Sequence, residues 1–161
     1  MLKVESINRF LNIQNRMETL ISDDENDRSI LPQKIGVSKA TFSKIANYGI
    51  IPKVKTLIRI ADYFEISLDY LVCRTNDKSF FPSIQSNTFY DRIELLKNER
   101  GYKNISQLAT ATCLPRQYFF DWQKKQILPN IEILEDLANF FKVSLDYLLG
   151  RSDIISYSDT N

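Results

Sequence analysis

Ser67-Leu68-Asp69-Tyr70-Leu71 recurs residue for residue as Ser144-Leu145-Asp146-Tyr147-Leu148, and an arginine follows each copy three positions on, Arg74 and Arg151. The shift of 77 residues that superimposes them aligns 28–76 with 105–153 without a gap, and 14 of the 49 positions are identical. Ile51-Pro52 falls on Leu128-Pro129, Leu57 on Leu134, Ala61 on Ala138 and Phe64 on Phe141. With one residue deleted upstream, Arg16-Met17-Glu18-Thr19-Leu20 aligns with Arg92-Ile93-Glu94-Leu95-Leu96. Self-similarity at one long period reads as two homologous units of roughly 60–70 residues, each able to form a small core of its own.

Both units read as strings of short helices, with no convincing period-two alternation. In the second, Ile93, Leu96 and Leu108 keep helical spacing and Gly101 breaks the first helix. Asn104 caps a second helix over 105–112, and Pro115 opens a third with Phe119 and Trp122 inward. Ile131, Leu134, Leu137, Ala138 and Phe141 define a fourth; Ser144 caps a fifth, Leu145 to Leu149, stopped by Gly150. The first unit opens on a long helix whose apolar stripe is Ile7, Phe10, Leu11, Met17, Leu20 and Ile21. After the acidic loop Asp23-Asp24-Glu25-Asn26-Asp27, Ser29 is expected to cap a short helix with Pro32 in its first turn. Gly36-Val37-Ser38 is a tight turn, Ser38 caps a third helix from Lys39 to about Asn47, and Ser67 caps the fifth.

These features resemble the lambda-repressor-like (Xre, or Cro/repressor) helix-turn-helix family. The stretch that carries the resemblance is Leu31 followed by Gly36-Val37-Ser38-Lys39-Ala40-Thr41-Phe42-Ser43-Lys44-Ile45, with the closing Ser-Leu-Asp-Tyr-Leu. In the second unit Trp122 stands in the third helix and the closing motif runs to Leu149-Gly150-Arg151-Ser152-Asp153. The resemblance implies an all-α fold of two tandem five-helix domains. It also implies a bacterial or phage transcriptional regulator that binds double-stranded DNA with a third helix in the major groove. The expected boundaries are 1–74 for the DNA-binding domain, 75–88 for a linker anchored by Phe80 and Phe81, 89–153 for the second domain and 154–161 for a tail mobile at its end.

Placing Val37, Phe42 and Ile45 inward turns Lys39, Ala40, Ser43, Lys44 and Asn47 outward, where similar proteins read base edges. The chemistry suits that role: lysine donates to guanine, asparagine matches adenine, serine bonds either partner and alanine meets the thymine methyl. Arg28, Gln33, Lys34, Ser38, Lys53 and Lys55 are the expected backbone contacts, fixing position more than sequence. In the second unit the equivalent outward positions are Arg116, Gln117, Phe120, Asp121 and Lys124. An outward phenylalanine and a carboxylate suit a protein partner or a dimer interface better than a phosphate backbone.

Composition bounds the alternatives. The chain of 161 residues has 21 basic and 20 acidic side chains and no histidine, which removes triads, imidazole bases and His-containing zinc sites. Four glycines form no phosphate-cradling motif, and Cys73 and Cys113, with no CxxC pair, are expected to be reduced, partly buried thiols. No apolar run reaches the ~18 residues of a membrane span and no signal-peptide core is visible, so the expected location is the cytoplasm. Neither metal, cofactor nor enzymatic activity is expected; Asp23 and Asp24 read as a solvated loop. The net charge of +1 is uneven: −3 over 1–27, +7 over 28–61, and −1 over each of 62–104, 105–138 and 139–161. Clustered cations drive phosphate binding by counterion release, and 28–61, which contains no acid, is where they cluster. Together with the resemblance, this implies a sequence-specific repressor of phage or mobile-element type, expected to act as a homodimer and to have a protein partner on the second unit. The alternative is an antitoxin or anti-repressor whose helix-turn-helix units grip protein.

Overall fold

Ten helices and no strand occur among the described residues, 2–155, of a computed structural model. The all-α class expected from the sequence is the class observed. The chain divides into two compact units, 1–80 and 81–161. The first holds α1 (Leu2–Asp23), α2 (Leu31–Ile35), α3 (Lys39–Tyr48), α4 (Val54–Tyr63) and α5 (Leu68–Leu71). The second holds α6 (Phe89–Glu99), α7 (Ile105–Thr112), α8 (Arg116–Lys125), α9 (Ile131–Phe141) and α10 (Leu145–Leu148). The end of the expected mobile tail, 156–161, lies outside the described residues.

In the first unit Leu31 and Ile35, Phe42 and Ile45, Leu57, Ile60 and Ala61, and Leu68 and Leu71 meet in one core. The long α1 contributes Ile13, Met17 and Leu20, and its expected stripe splits. Ile7, Phe10 and Leu11 stay 62%, 42% and 52% exposed. Ile7 and Leu11 lie more than about 100° around the helix from Ile13 and Leu20, so one face cannot hold them all. The start of α2 also differs from expectation. Ile30 precedes the helix without a side-chain cap, while Pro32 does lie in the first turn. Ser29 is used otherwise: its N–H donates to Asp27 Oδ1 at 2.8 Å, in a turn that the Asp27 carbonyl extends to the Ile30 N–H at 3.1 Å. Hydrogen bonding from the Ser29 side chain, and then from its N–H, holds the Asp27 carboxyl below its usual range.

The closing motif works the same way in both units. Ser67 accepts from the Tyr70 N–H and Ser144 from the Tyr147 N–H, each at 3.0 Å, satisfying orphan donors of a four-residue helix. Asp69 and Asp146 are 2% and 1% exposed, and each is paired with the arginine five residues on. Arg74 reaches Asp69 at 2.5 Å, and its N–H also donates to the Asp69 carbonyl at 2.8 Å. The guanidinium of Arg16 lies 3.7 Å over the Tyr70 ring, and that of Arg92 lies 4.3 Å over Tyr147. The two aligned arginines thus join the first helix of each unit to the last by the same cation–π contact.

In the second unit Asn104 caps α7 and Asn130 caps α9; Pro115 stands at the N-cap of α8, and the five expected apolar residues of α9 are all buried. Trp122 packs edge-on against Phe89 and Phe119, with centroids at 5.4 and 4.9 Å. Helix α10 ends at Leu148, one residue short of the expected Leu149, which serves as its C-cap. Phe81, expected to anchor the linker, is 60% exposed. Phe80, the other aromatic expected to anchor it, is half-buried, and polar bonds also hold the connecting segment within each unit. In the first, Ser67 N–H donates to the Lys78 carbonyl at 3.2 Å. In the second, Asp153 accepts from Ser83 Oγ (2.7 Å), the Ile84 N–H (3.1 Å) and Arg92 (2.7 Å). Residues 154 and 155, assigned to the tail, are tied back to Ser144 through their carbonyls. Both cysteines are free, but only Cys73 is partly buried; Cys113 occupies the left-handed C-cap of α7 (φ 56°) and is exposed.

Gly49 ends α3 at φ +64°, and a Cβ there would stand 1.9 Å from the Phe10 carbonyl oxygen. Gly36 has a similar φ of +77° but open space around it. Gly49→Ala is therefore expected to cost about 2–3 kcal/mol or more and Gly36→Ala about 1 kcal/mol, as urea unfolding of each variant would measure. Asp153 has its carboxyl pulled below the ordinary 3.8 by the hydrogen bond from Ser83, and by Arg92 and the Ile84 N–H. A depressed folded-state value contributes stability above the unfolded pKa that is lost as pH falls through the folded one. Asp153→Asn is expected to unfold at lower temperature than the parent at pH 7, with the gap closing as pH drops below about 4.

Candidate nucleic-acid interface

The geometry of α2, its turn and α3 is set by backbone and caps. The Gly36 and Val37 N–H groups both donate to the Pro32 carbonyl, at 3.0 and 2.9 Å, closing α2 with the chain in the left-handed region at Gly36. Ser38 then starts α3: its Oγ accepts from the Thr41 N–H at 3.1 Å and donates to the Thr41 hydroxyl at 2.8 Å. Arg59 of α4 donates to the Gly36 carbonyl at 2.8 Å and braces the turn from behind. Arg59 counted toward the basic segment, but its fork serves the turn.

Helix α3 buries Phe42, Ile45 and Ala46. Lys39, Ala40, Ser43, Lys44 and Asn47 are all exposed on its opposite face, while Val37 and Thr41 are half-buried. The five form one row because their spacing follows the helical period. Gln33 and Lys34 on α2, Ser38 at the cap and Lys53 and Lys55 at the start of α4 are exposed around that row. Lys34 Nζ donates to Asn26 Oδ1 at 2.5 Å, and Asn26 in turn donates to Asp24 through its N–H and its amide, both at 2.8 Å. The Asn26 bonds hold the Asp24 carboxyl below its usual range, with smaller contributions from Tyr63 and Lys34. The acidic loop is thus folded onto the edge of the basic surface through one asparagine.

Two residues assigned to different roles are brought together. Arg28 Nη2 donates to Asn47 Oδ1, across 19 residues of sequence. The sequence contains no signal for this pairing, because the loop conformation that aims Arg28 depends on Asp27.

The outward face of α8 is of another kind. Phe120 and Tyr118 are 37% and 40% exposed, and the Arg116 guanidinium lies 5.0 Å over the Phe120 ring. Asp121 accepts from Gln117 and from Lys125, each at 3.0 Å, so its carboxyl lies below the usual range and its charge is answered on the same helix. Of the basic side chains on α8, Arg116 stacks on an aromatic, Lys125 is paired and Lys124 is exposed.

Residues 31–71 match a helix-turn-helix family model. The matched segment starts at the first residue of α2 and ends at the last residue of α5. That segment is similar to helix-turn-helix domains, a class of domain with which regulators bind DNA. No curated protein and no solved structure matches the chain. No helix among the described residues is long and apolar enough to cross a membrane.

Proposed function

We propose that this protein is a sequence-specific regulator of transcription that reads double-stranded DNA with α3. The observation that carries the reading is the row Lys39, Ala40, Ser43, Lys44 and Asn47, exposed on a helix whose other face is core, within a segment of seven basic residues and no acid. Lysine, serine and asparagine supply donors and acceptors for major-groove edges, and Ala40 offers a methyl to thymine. Arg28, Gln33, Lys34, Ser38, Lys53 and Lys55 surround the row as phosphate contacts. Repression by occupying a promoter, in the manner of phage or mobile-element repressors, follows the resemblance seen in the sequence. A single recognition helix touches few base pairs, so a homodimer on two half-sites supplies the readout.

The 81–161 unit is a second helix-turn-helix copy in this reading, with α8 turned from DNA to protein. Its support is the shared closing motif, the shared arginine–tyrosine stacking and the exposed Arg116, Gln117 and Phe120 beside the half-buried Asp121, whose charges are answered locally. An exposed aromatic beside neutralised charges matches the composition of interface cores. An antitoxin-like or anti-repressor function would use this face first.

Duplex binding measured against salt tests the main reading. The affinity is expected to fall with a log–log slope of about −0.9 for each phosphate neutralised, and Lys39→Glu with Lys44→Glu is expected to abolish specific binding without loss of helicity by circular dichroism. Absence of any specific duplex would favour the protein-gripping alternative. Phe120→Ala is expected to weaken self-association or partner capture in sedimentation experiments while leaving duplex binding by the first unit intact. An unchanged assembly state and unchanged partner binding would remove α8 as an interface.

A further inference from the structure

The geometry points to Arg28 and Asn47 acting as one base-reading unit that selects guanine, with Asn47 turned from the adenine preference it has by itself. This rests on the reading of α3 as the recognition helix. Arg28 lies three residues before α2, outside the helix-turn-helix proper, yet its guanidinium donates to the carboxamide oxygen of Asn47, in the last turn of α3. Both side chains are exposed, so the pair stands on the surface that carries Lys39, Ser43 and Lys44.

An unpaired asparagine offers one donor edge and one acceptor edge. That combination matches adenine, whose N7 accepts and whose N6 amino group donates. In the observed arrangement a cation already engages one of the two lone pairs of the acceptor and stands beside the other. What the pair then presents outward is the Asn47 amide N–H groups beside the remaining guanidinium N–H groups, a set dominated by donors. Guanine O6 and N7 accept both, whereas the adenine amino group would face donors. The bond also fixes which way the carboxamide is turned, since only its oxygen can face the guanidinium. The loop before α2 supports the arrangement through the Asp27 bonds to Ser29 and Ile30, which position the chain immediately after Arg28. Arg28 is thereby moved from the set of backbone contacts, where its charge alone would place it, to the residues that set sequence preference.

Selection of bound sequences from random duplexes tests the assignment, using the full chain and its Arg28→Ala, Arg28→Met and Asn47→Ala variants. Both sites are exposed, and melting curves confirm folding. The parent is expected to require guanine at one position of its site. Both Arg28 variants are expected to lose that requirement about tenfold and to shift toward adenine, because Asn47 regains its acceptor. Asn47→Ala is expected to relax the same position without the shift. If the Arg28 variants keep the parent's preferred sequence and only bind every duplex more weakly, with the salt slope shallower by about one, Arg28 is a phosphate contact and the assignment fails. A parent that enriches no sequence at all overturns the recognition reading itself, and this assignment with it.

Discussion

A carboxylate removed from water must be answered by a cation, and Asp69 is the place in the first unit where that rule organises the chain. At 2% exposure it sits inside a four-residue helix too short to persist alone, and Arg74 meets it at 2.5 Å. The pairing folds the chain back after α5, so that Arg16 can lie on Tyr70 and donate to the Tyr70 and Thr75 carbonyls at 3.1 and 3.2 Å. Helix α1 is thereby joined to the end of the domain, and α3 and α4 are held between elements that are already fixed. Asp146, Arg151, Arg92 and Tyr147 repeat the arrangement in the second unit. The residues that recur most faithfully along the chain are therefore those that close each core.

How far the sequence could be read follows from the range of the forces involved. Caps act over three residues, and Ser38, Ser67, Asn104 and Ser144 were each legible from their own neighbourhood. Helical periodicity was equally clear in α9, where one apolar face is unambiguous. It failed in α1 because that helix has two apolar faces and only one meets the core. Thr88 and Asp91 form a reciprocal capping box that a local reading could have found. The outward row on α3 was legible by the same local logic. The Arg28–Asn47 and Arg59–Gly36 bonds were not, since each joins segments separated by about twenty residues through loop geometry that no periodicity encodes.

The near-neutral charge total conceals a division of labour on the surface. Around α3 the cations either face outward or brace the turn, and the nearest acids are drawn into bonds with Asn26 and Ser29. On α8 the same positional row carries an aromatic stacked under its own arginine and a carboxylate bonded to its own neighbours. A helix whose polar groups are satisfied internally has little to offer a phosphate backbone. It retains apolar area that a protein surface can cover.

The contact between Gly49 and the Phe10 carbonyl has a mechanical consequence. A glycine without a side chain lets the end of α3 lie directly on the backbone of α1, and this close backbone approach limits how far α3 shifts against its support. Under the proposed function, a duplex docking on α3 would meet a helix held close to its support. Whatever curvature or twist the encounter requires must then come from the nucleic acid, and base steps that bend easily would be favoured at positions no side chain reaches.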